Sequence, residues 1–265
     1  MKKGLTQICL GRDTSIRDAL QMCREIGYQG FEILLTESGE LTMQSGPADY
    51  AALLDMSAEA GVELTSICGG GDLSSNDPVT VAAYKAQIRK MLEAAEALGI
   101  DTILVTGGRT SDKVPYDVAY DRQLRALQEL RADAERHRVN IALENIWNKL
   151  LISPLEFRDF LDRVGSPYVG CYFDTGNVVL YGYPEQWIRI LGTRIKKIHF
   201  KDFKIDHSEQ RYTWPQLMQG SVDWPAVMRE IRAIGYDDYV ITEVCGDRAV
   251  YAETCRVMDT ILALP

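Results

Sequence analysis

The stretch "ALENIW" places Glu144 directly behind apolar residues that read as a buried strand. A carboxylate there is costly unless something compensates its charge. Three comparable residues follow: Asp174 in "CYFDTGN", His199 in "KIHFKD" and Glu243 in "VITEV", each near the end of a largely apolar run. Brought together, three carboxylates repel, and a divalent cation relieves the repulsion. Oxygen donors with one imidazole suit Mn2+, Mg2+ or Co2+, with Zn2+ and Fe2+ also accommodated. On an octahedral ion such a set leaves room for two substrate oxygens, such as a carbonyl and its adjacent hydroxyl. Taken singly, each carboxylate reads more readily as an ion-pair partner or helix cap, and His199 as a core histidine. Their joint placement at consecutive strand ends argues for a site.

Bringing those groups to one point takes a scaffold. Apolar runs recur at residues 4–10, 30–35, 62–71, 101–108, 140–146, 168–174, 195–200 and 238–244. Helical patterns fall between them, at about 14–26, 48–60, 78–98, 116–137, from 154, at 184–191, from 223, and in a last stretch to about 262. Runs that are apolar throughout suit parallel strands covered on both faces. Regular strand–helix alternation at roughly 30-residue spacing predicts an α/β chain, a (β/α)8 TIM barrel forming one domain over 1–265. A doubly wound open sheet is the rival. Chemistry in such barrels sits at the C-terminal strand ends, where all four residues lie. Ser153, Pro154 and Glu156 form a capping-box pattern, and Asp223 is the expected cap of a later helix. The "GGG" at 69–71 and "TGG" at 106–108 match no nucleotide-binding pattern and read as tight turns or points of close substrate approach.

The 265 residues are 46% hydrophobic, enough for a sizeable core, and the net charge of −9 argues against nucleic acid or an anionic membrane as partner. The six cysteines form no CxxC pair and read as reduced, buried thiols of a cytoplasmic protein. The apolar stretch near the N-terminus is too short for a signal peptide, and no membrane span is expected.

The segments "ENIWNKLLISPLEF", "YFDTGNVVLYGYPEQWI", "IKKIHFKDF" and "GSVDWPAV" resemble the sugar isomerase/epimerase superfamily of barrels related to xylose isomerase and endonuclease IV. Within it the chain is most similar to the sugar phosphate isomerase/epimerase group, which includes hexulose-6-phosphate isomerase and ketose 3-epimerase proteins. The resemblance runs from "GYQGFEI" to "GYDDYVITEV", nearly the whole chain. It implies that Glu144, Asp174, His199 and Glu243 bind one divalent metal, Mn2+ foremost. It also implies that Glu144 and Glu243 act as acid and base on opposite faces of the substrate. The implied activity is proton abstraction next to a carbonyl through a metal-stabilised enediolate, with ketose 3-epimerisation first and aldose–ketose isomerisation sharing the step. The alternative is a lyase or dehydratase acting on a cyclic polyol or 3-keto sugar derivative with the same metal site. An endonuclease-like phosphodiesterase needs more histidines than His137, His199 and His207 supply. A non-catalytic sugar-binding barrel is disfavoured by the complete ligand set.

The expected substrate is a small sugar or polyol, phosphorylated or free, and relatives of this kind point to a homodimer or homotetramer. Trp147 is expected to pack a sugar face. Asn145, Asn177, Lys201 and Asp202 are expected to meet substrate hydroxyls, and Glu32, at the end of the second strand, to enter the pocket. Many relatives carry His where Asn177 stands. The loop holding Lys204, His207 and Arg211 reads as a solvated or oligomer-contacting segment ahead of a phosphate clamp.

Overall fold

The computed structural model describes residues 1–11, 14–206, 208 and 211–265. The chain runs β1 (Lys2–Thr6), α1 (Ile16–Ile26), β2 (Gly30–Leu34), α2 (Pro47–Ala60), β3 (Glu63–Gly69), α3 (Pro78–Leu98), β4 (Thr102–Val105) and α4 (Tyr116–His137). It continues through β5 (Asn140–Glu144), α5 (Pro154–Val164), β6 (Val169–Asp174), α6 (Pro184–Leu191) and β7 (Ile195–Phe200). A short hairpin, β8 (Lys204–Asp206) and β9 (Arg211–Thr213), precedes α7 (Trp224–Ala233), β10 (Tyr239–Thr242) and α8 (Arg248–Leu262). Eight parallel strands close a barrel in the order β1-β10-β7-β6-β5-β4-β3-β2, the TIM architecture expected from the alternation. No helix among the described residues is long and apolar enough to cross a membrane.

Burial explains why the strands are apolar. In β4 and β6 every residue is buried, because helices cover one face and the barrel interior takes the other. The main core lies between strands and helices, where Phe31, Ile103, Phe173 and Ile198 meet Leu127, Phe157 and Val227. A second, smaller cluster of Leu104, Ala142, Tyr172 and Ile241 fills the barrel itself. Lys197 floors it: its side chain is 2% exposed and its ammonium bonds Asp101 at 3.2 Å and Asp238 at 2.5 Å. Helix starts are capped by Ser15, Asp77, Asp223 and Asp247, whose side chains accept backbone N–H groups.

Several expectations are corrected. The first strand ends at Thr6 rather than continuing to residue 10, because Gln7–Cys9 turns into a 3-10 helix whose Ile8 N–H bonds Thr6 Oγ1 at 3.2 Å. The segment after β7 is not wholly irregular, since β8 and β9 pair antiparallel with Lys204 opposite Thr213. His207 lies outside the described residues. Ser153 and Pro154 do start α5, but Ser153 makes no side-chain cap, and Glu156 accepts from the Tyr116 hydroxyl at 2.6 Å instead. The glycine run at 69–71 serves close packing: a Cβ on Gly71 would lie 2.3 Å from the Tyr84 ring. The six cysteines are not all thiols. Cys9 and Cys245 form a disulfide, while Cys23, Cys68, Cys171 and Cys255 are free and buried. Their separation of 236 residues hides the pair from any local reading, and only barrel closure brings the two loops together.

Candidate active site

Glu144 and Asp174 are the last residues of β5 and β6, His199 is the penultimate residue of β7, and Glu243 directly follows β10. These strands are consecutive neighbours in the barrel, with Asp174 opposite His199 and His199 opposite Ile241 in register. Ligand atoms from all four side chains lie within 4.8 Å of one another. His199 Nδ1 stands 3.5 Å from Glu144 Oε1 and 3.6 Å from Glu243 Oε2. Both that nitrogen and Asp174 Oδ2 are buried without a hydrogen-bond partner. Buried polar atoms left without partners are costly. Two of them facing a carboxylate cluster fit a cation, and the donor set of oxygens with one imidazole fits a divalent one.

The candidate ligands are held from behind. Fully buried Glu32 accepts from Thr6 Oγ1 at 2.7 Å, Ser66 Oγ at 2.7 Å and Tyr172 OH at 2.5 Å, and it lies 3.0 Å from His199 Nε2. A carboxylate on the far nitrogen of a ligating histidine fixes ring orientation and tautomer, leaving Nδ1 for the cluster. Glu32 therefore does not reach the substrate pocket as expected; it lies inside the barrel, behind His199. Register shifts fall directly before Glu32 in β2 and directly before Tyr172 in β6. Such bulges re-aim side chains, and here they flank the two residues that meet across the barrel.

Two other expected hydroxyl partners are also committed elsewhere. Asn145 donates to Asp174 O at 2.9 Å and accepts from Asp174 N at 2.8 Å, so its amide positions that candidate ligand. Asp202 accepts from the N–H groups of Phe203, Gly220, Val222 and the Trp224 indole, at 2.9 to 3.2 Å, and shapes the loop after β7. Asn177 lends its backbone N–H to Asp174 Oδ1 at 2.7 Å. Its carbonyl accepts from the Trp147 indole at 2.7 Å. Lys201 stays in the cluster: Nζ is 3.0 Å from Glu243 Oε2 and 3.9 Å from Asp174 Oδ2.

Some supporting residues escaped the sequence reading. Thr175 accepts from Lys201 N at 3.1 Å and donates to Lys201 O at 2.8 Å, pinning the loop after β6 to that after β7. Gly176 lets the two loops approach, since a Cβ there would lie 3.0 Å from Lys201 O. Thus "DTG" reads as candidate ligand, pin and gap. Tyr172 had an available signal: stepping back two residues from Asp174 along a strand stays on the same face. Trp214 had none, because it belongs to an irregular segment. It packs 5.1 Å from Trp147 and lies under Lys201 Nζ, 4.5 Å from the ring centroid. Across the mouth, a cavity of about 810 Å³ opens over the ends of β1 to β3, lined in part by Gln7, Leu34, Thr36 and Gly70.

The charges divide the carboxyls. Burial, reinforced by Glu243 and Glu144 and opposed by Lys201, pushes the Asp174 carboxyl up to about 8. Burial also raises Glu144, partly offset by His199. Burial acts on Glu243 in the same sense, but His199 and Lys201 prevail and hold it down to about 2. His199 is lowered by burial, yet Glu32, Glu144 and Glu243 raise it well above its ordinary value.

Comparison with known proteins bears on the fold and the family. The chain is 25% identical over 244 residues to 3-oxo-isoapionate decarboxylase of Pectobacterium atrosepticum, covering 80% of this chain and 84% of that one. It is 26% identical over 192 residues to 2-epi-5-epi-valiolone 7-phosphate 2-epimerase of an Actinoplanes species, covering 69% and 67% respectively. The crystal structure of D-psicose 3-epimerase with D-tagatose, from Clostridium cellulolyticum, superposes with a TM-score of 0.83 at 17% identity, over 100% of this chain and 99% of that one. The family model described as "Xylose isomerase-like TIM barrel" matches residues 20–261, and the chain belongs to that family.

Proposed function

We propose that this protein is a divalent-metal-dependent sugar or sugar phosphate epimerase/isomerase that moves a proton on the carbon next to a ketone, inverting it as at C3 of a 2-ketose. The observation that carries the reading is the convergence of Glu144, Asp174, His199 and Glu243 at one mouth, with two buried polar atoms left without partners. Mn2+ is the ion proposed. When bound, it polarises the substrate carbonyl and stabilises the negative charge that develops on its oxygen. The rest falls to the chain. Glu144, whose carboxyl burial raises, is the stronger base of the two glutamates and is proposed to take the α-proton. Glu243 is its proposed partner on the opposite face and returns a proton in the turnover in which it starts protonated; the reverse reaction exchanges the two roles. Asp174 and His199 complete the ligand set, and the Glu32 network keeps His199 from rotating.

The test is incubation with Mn2+ in D2O and a panel of free and phosphorylated keto sugars, followed by NMR, beside an EDTA-treated sample. Metal-dependent deuterium uptake at the carbon next to the ketone, with a new epimer, is the expected outcome. Bound metal with no exchange on any member would overturn the reading. A lyase is the second reading, favoured by the decarboxylase relative. Loss of carbon dioxide or of a β-leaving group also builds negative charge next to a carbonyl. Release of such a fragment in the same tubes would put it first.

Two further outcomes are expected. Glu32→Gln keeps shape but removes the negative charge behind His199, and Mn2+ affinity should fall about 10- to 100-fold. Unchanged affinity by titration calorimetry would detach Glu32 from the site. Affinity should also rise with pH. A carboxyl raised from 3.8 to about 8 in the folded state stays protonated through that window, and the ion must displace its proton. Each displaced proton makes affinity change about tenfold per pH unit below the folded pKa. By the same sign, the metal-free fold gains stability from Asp174 at low pH and loses it as pH rises through about 8. A flat affinity profile between pH 6 and 8, without proton release, would exclude this linkage.

A further inference from the structure

Of the polar residues expected to bind substrate hydroxyls, Glu32, Asn145 and Asp202 have their side chains spent on the protein itself. What borders the ligand set instead is aromatic. Trp147, three residues past Glu144, packs edge-on against Phe203 at 5.3 Å and beside Trp214 at 5.1 Å. Phe203 also meets Trp214 at 4.7 Å and stacks with Tyr212 at 5.7 Å. Phe203 is buried, but Trp147 is 44% and Trp214 45% exposed. Large rings left half in water, and yet held in place, call for an occupant.

They are held in place. The Trp147 indole donates to Asn177 O, and the same residue's N–H binds Asp174 Oδ1, so one loop fixes both the ring and a ligand. Lys201 spans the other side, 3.0 Å from Glu243 and 4.5 Å from the centre of the Trp214 ring. The wall is thus continuous with the carboxylate cluster through two separate residues.

We infer that Trp147 and Trp214 form a ring-stacking subsite that selects a ring-closed keto-polyol, one whose ketone sits in or on a carbocycle or locked sugar ring, over an open-chain ketose. The inference rests on the proposed proton transfer next to a ketone and names the substrate class of that same site. A ring polyol turns its hydroxyls outward and offers a flat C–H face to a π system. An open-chain ketose carries hydroxyls along its whole length and needs polar partners for them. Three of the five polar residues expected to serve it here are already committed to the protein itself.

The test measures binding apart from turnover. Quenching of tryptophan fluorescence is titrated in the Mn2+-loaded protein with a 2-keto-inositol, which cannot open, and with D-erythrulose, which is too short to close. The wild type should bind the cyclic ketone at least tenfold more tightly. Trp214→Ala should weaken it about tenfold, the scale of one lost aromatic contact, with Trp214→Phe in between and erythrulose affected less than twofold. Isothermal calorimetry checks the same constants without relying on the substituted fluorophore. Equal affinity for the two ketones, or equal losses for both in Trp214→Ala, would overturn the subsite. Tryptophan-dependent binding of the cyclic ketone without deuterium exchange supports the subsite and sinks the proposed chemistry. Exchange that ignores Trp214 does the reverse.

Discussion

Replacing Glu144 by glutamine is expected to slow metal-dependent α-proton exchange by about 10³-fold, within the 10²- to 10⁴-fold range for a positioned acid or base. The change keeps volume and one oxygen but removes the basic lone pair. Glu144 is singled out over Glu243 by environment. His199 and Lys201 hold the Glu243 carboxyl down to about 2, which makes it the weaker base of the two. Glu144 is more deeply buried and its carboxyl is raised, which favours proton transfer. Because Glu144 is also proposed as a ligand, exchange is compared at saturating Mn2+, with bound metal quantified in each sample. A loss of rate that vanishes on saturation would make Glu144 a ligand only.

Asp174→Asn should lower Mn2+ affinity by about 100-fold or more, the upper end of what even a supporting residue contributes. Asp174 is fully buried, its Oδ1 is taken by Asn177 N–H, and its Oδ2 is open toward the cluster. The amide is isosteric, carries no charge and relieves repulsion from the two glutamates. Stability gives a readout independent of activity. A wild-type protein with Mn2+ at a hundredfold excess over Kd gains about 2.7 kcal/mol. The variant should gain almost nothing while its metal-free Tm rises. Equal Tm gains in both proteins would remove Asp174 from the ligand set.

What could be read in advance followed from local pattern. Strands buried on both faces announce themselves as apolar runs, so the eight barrel strands were legible, as were the spans of α3 and α4. The four candidate ligands were legible because a charge at the end of such a run is too costly to stand there uncompensated. Partners far apart in the chain were not. Glu32 meets Tyr172 and His199 across 140 and 167 residues, and no neighbouring residue signals that the carboxylate turns inward. Asp202 reads as a polar loop residue until Val222 and Trp224 fold over it. The β8–β9 hairpin is too short, polar and exposed to show alternation. Trp214 lay in that same unpatterned stretch.

The disulfide changes the connectivity of the molecule. Cys9 follows β1 and Cys245 follows β10, and these two strands form the barrel's closing seam. Residues 9 to 245 therefore form a covalent macrocycle, with β1 and α8 on the two short tails that leave it. Cutting one peptide bond within that ring releases nothing: it turns a cycle into a line whose halves stay joined beside Glu243. In an oxidised molecule, the strand leading into the last candidate ligand cannot be parted from the first strand by a single break between residues 9 and 239.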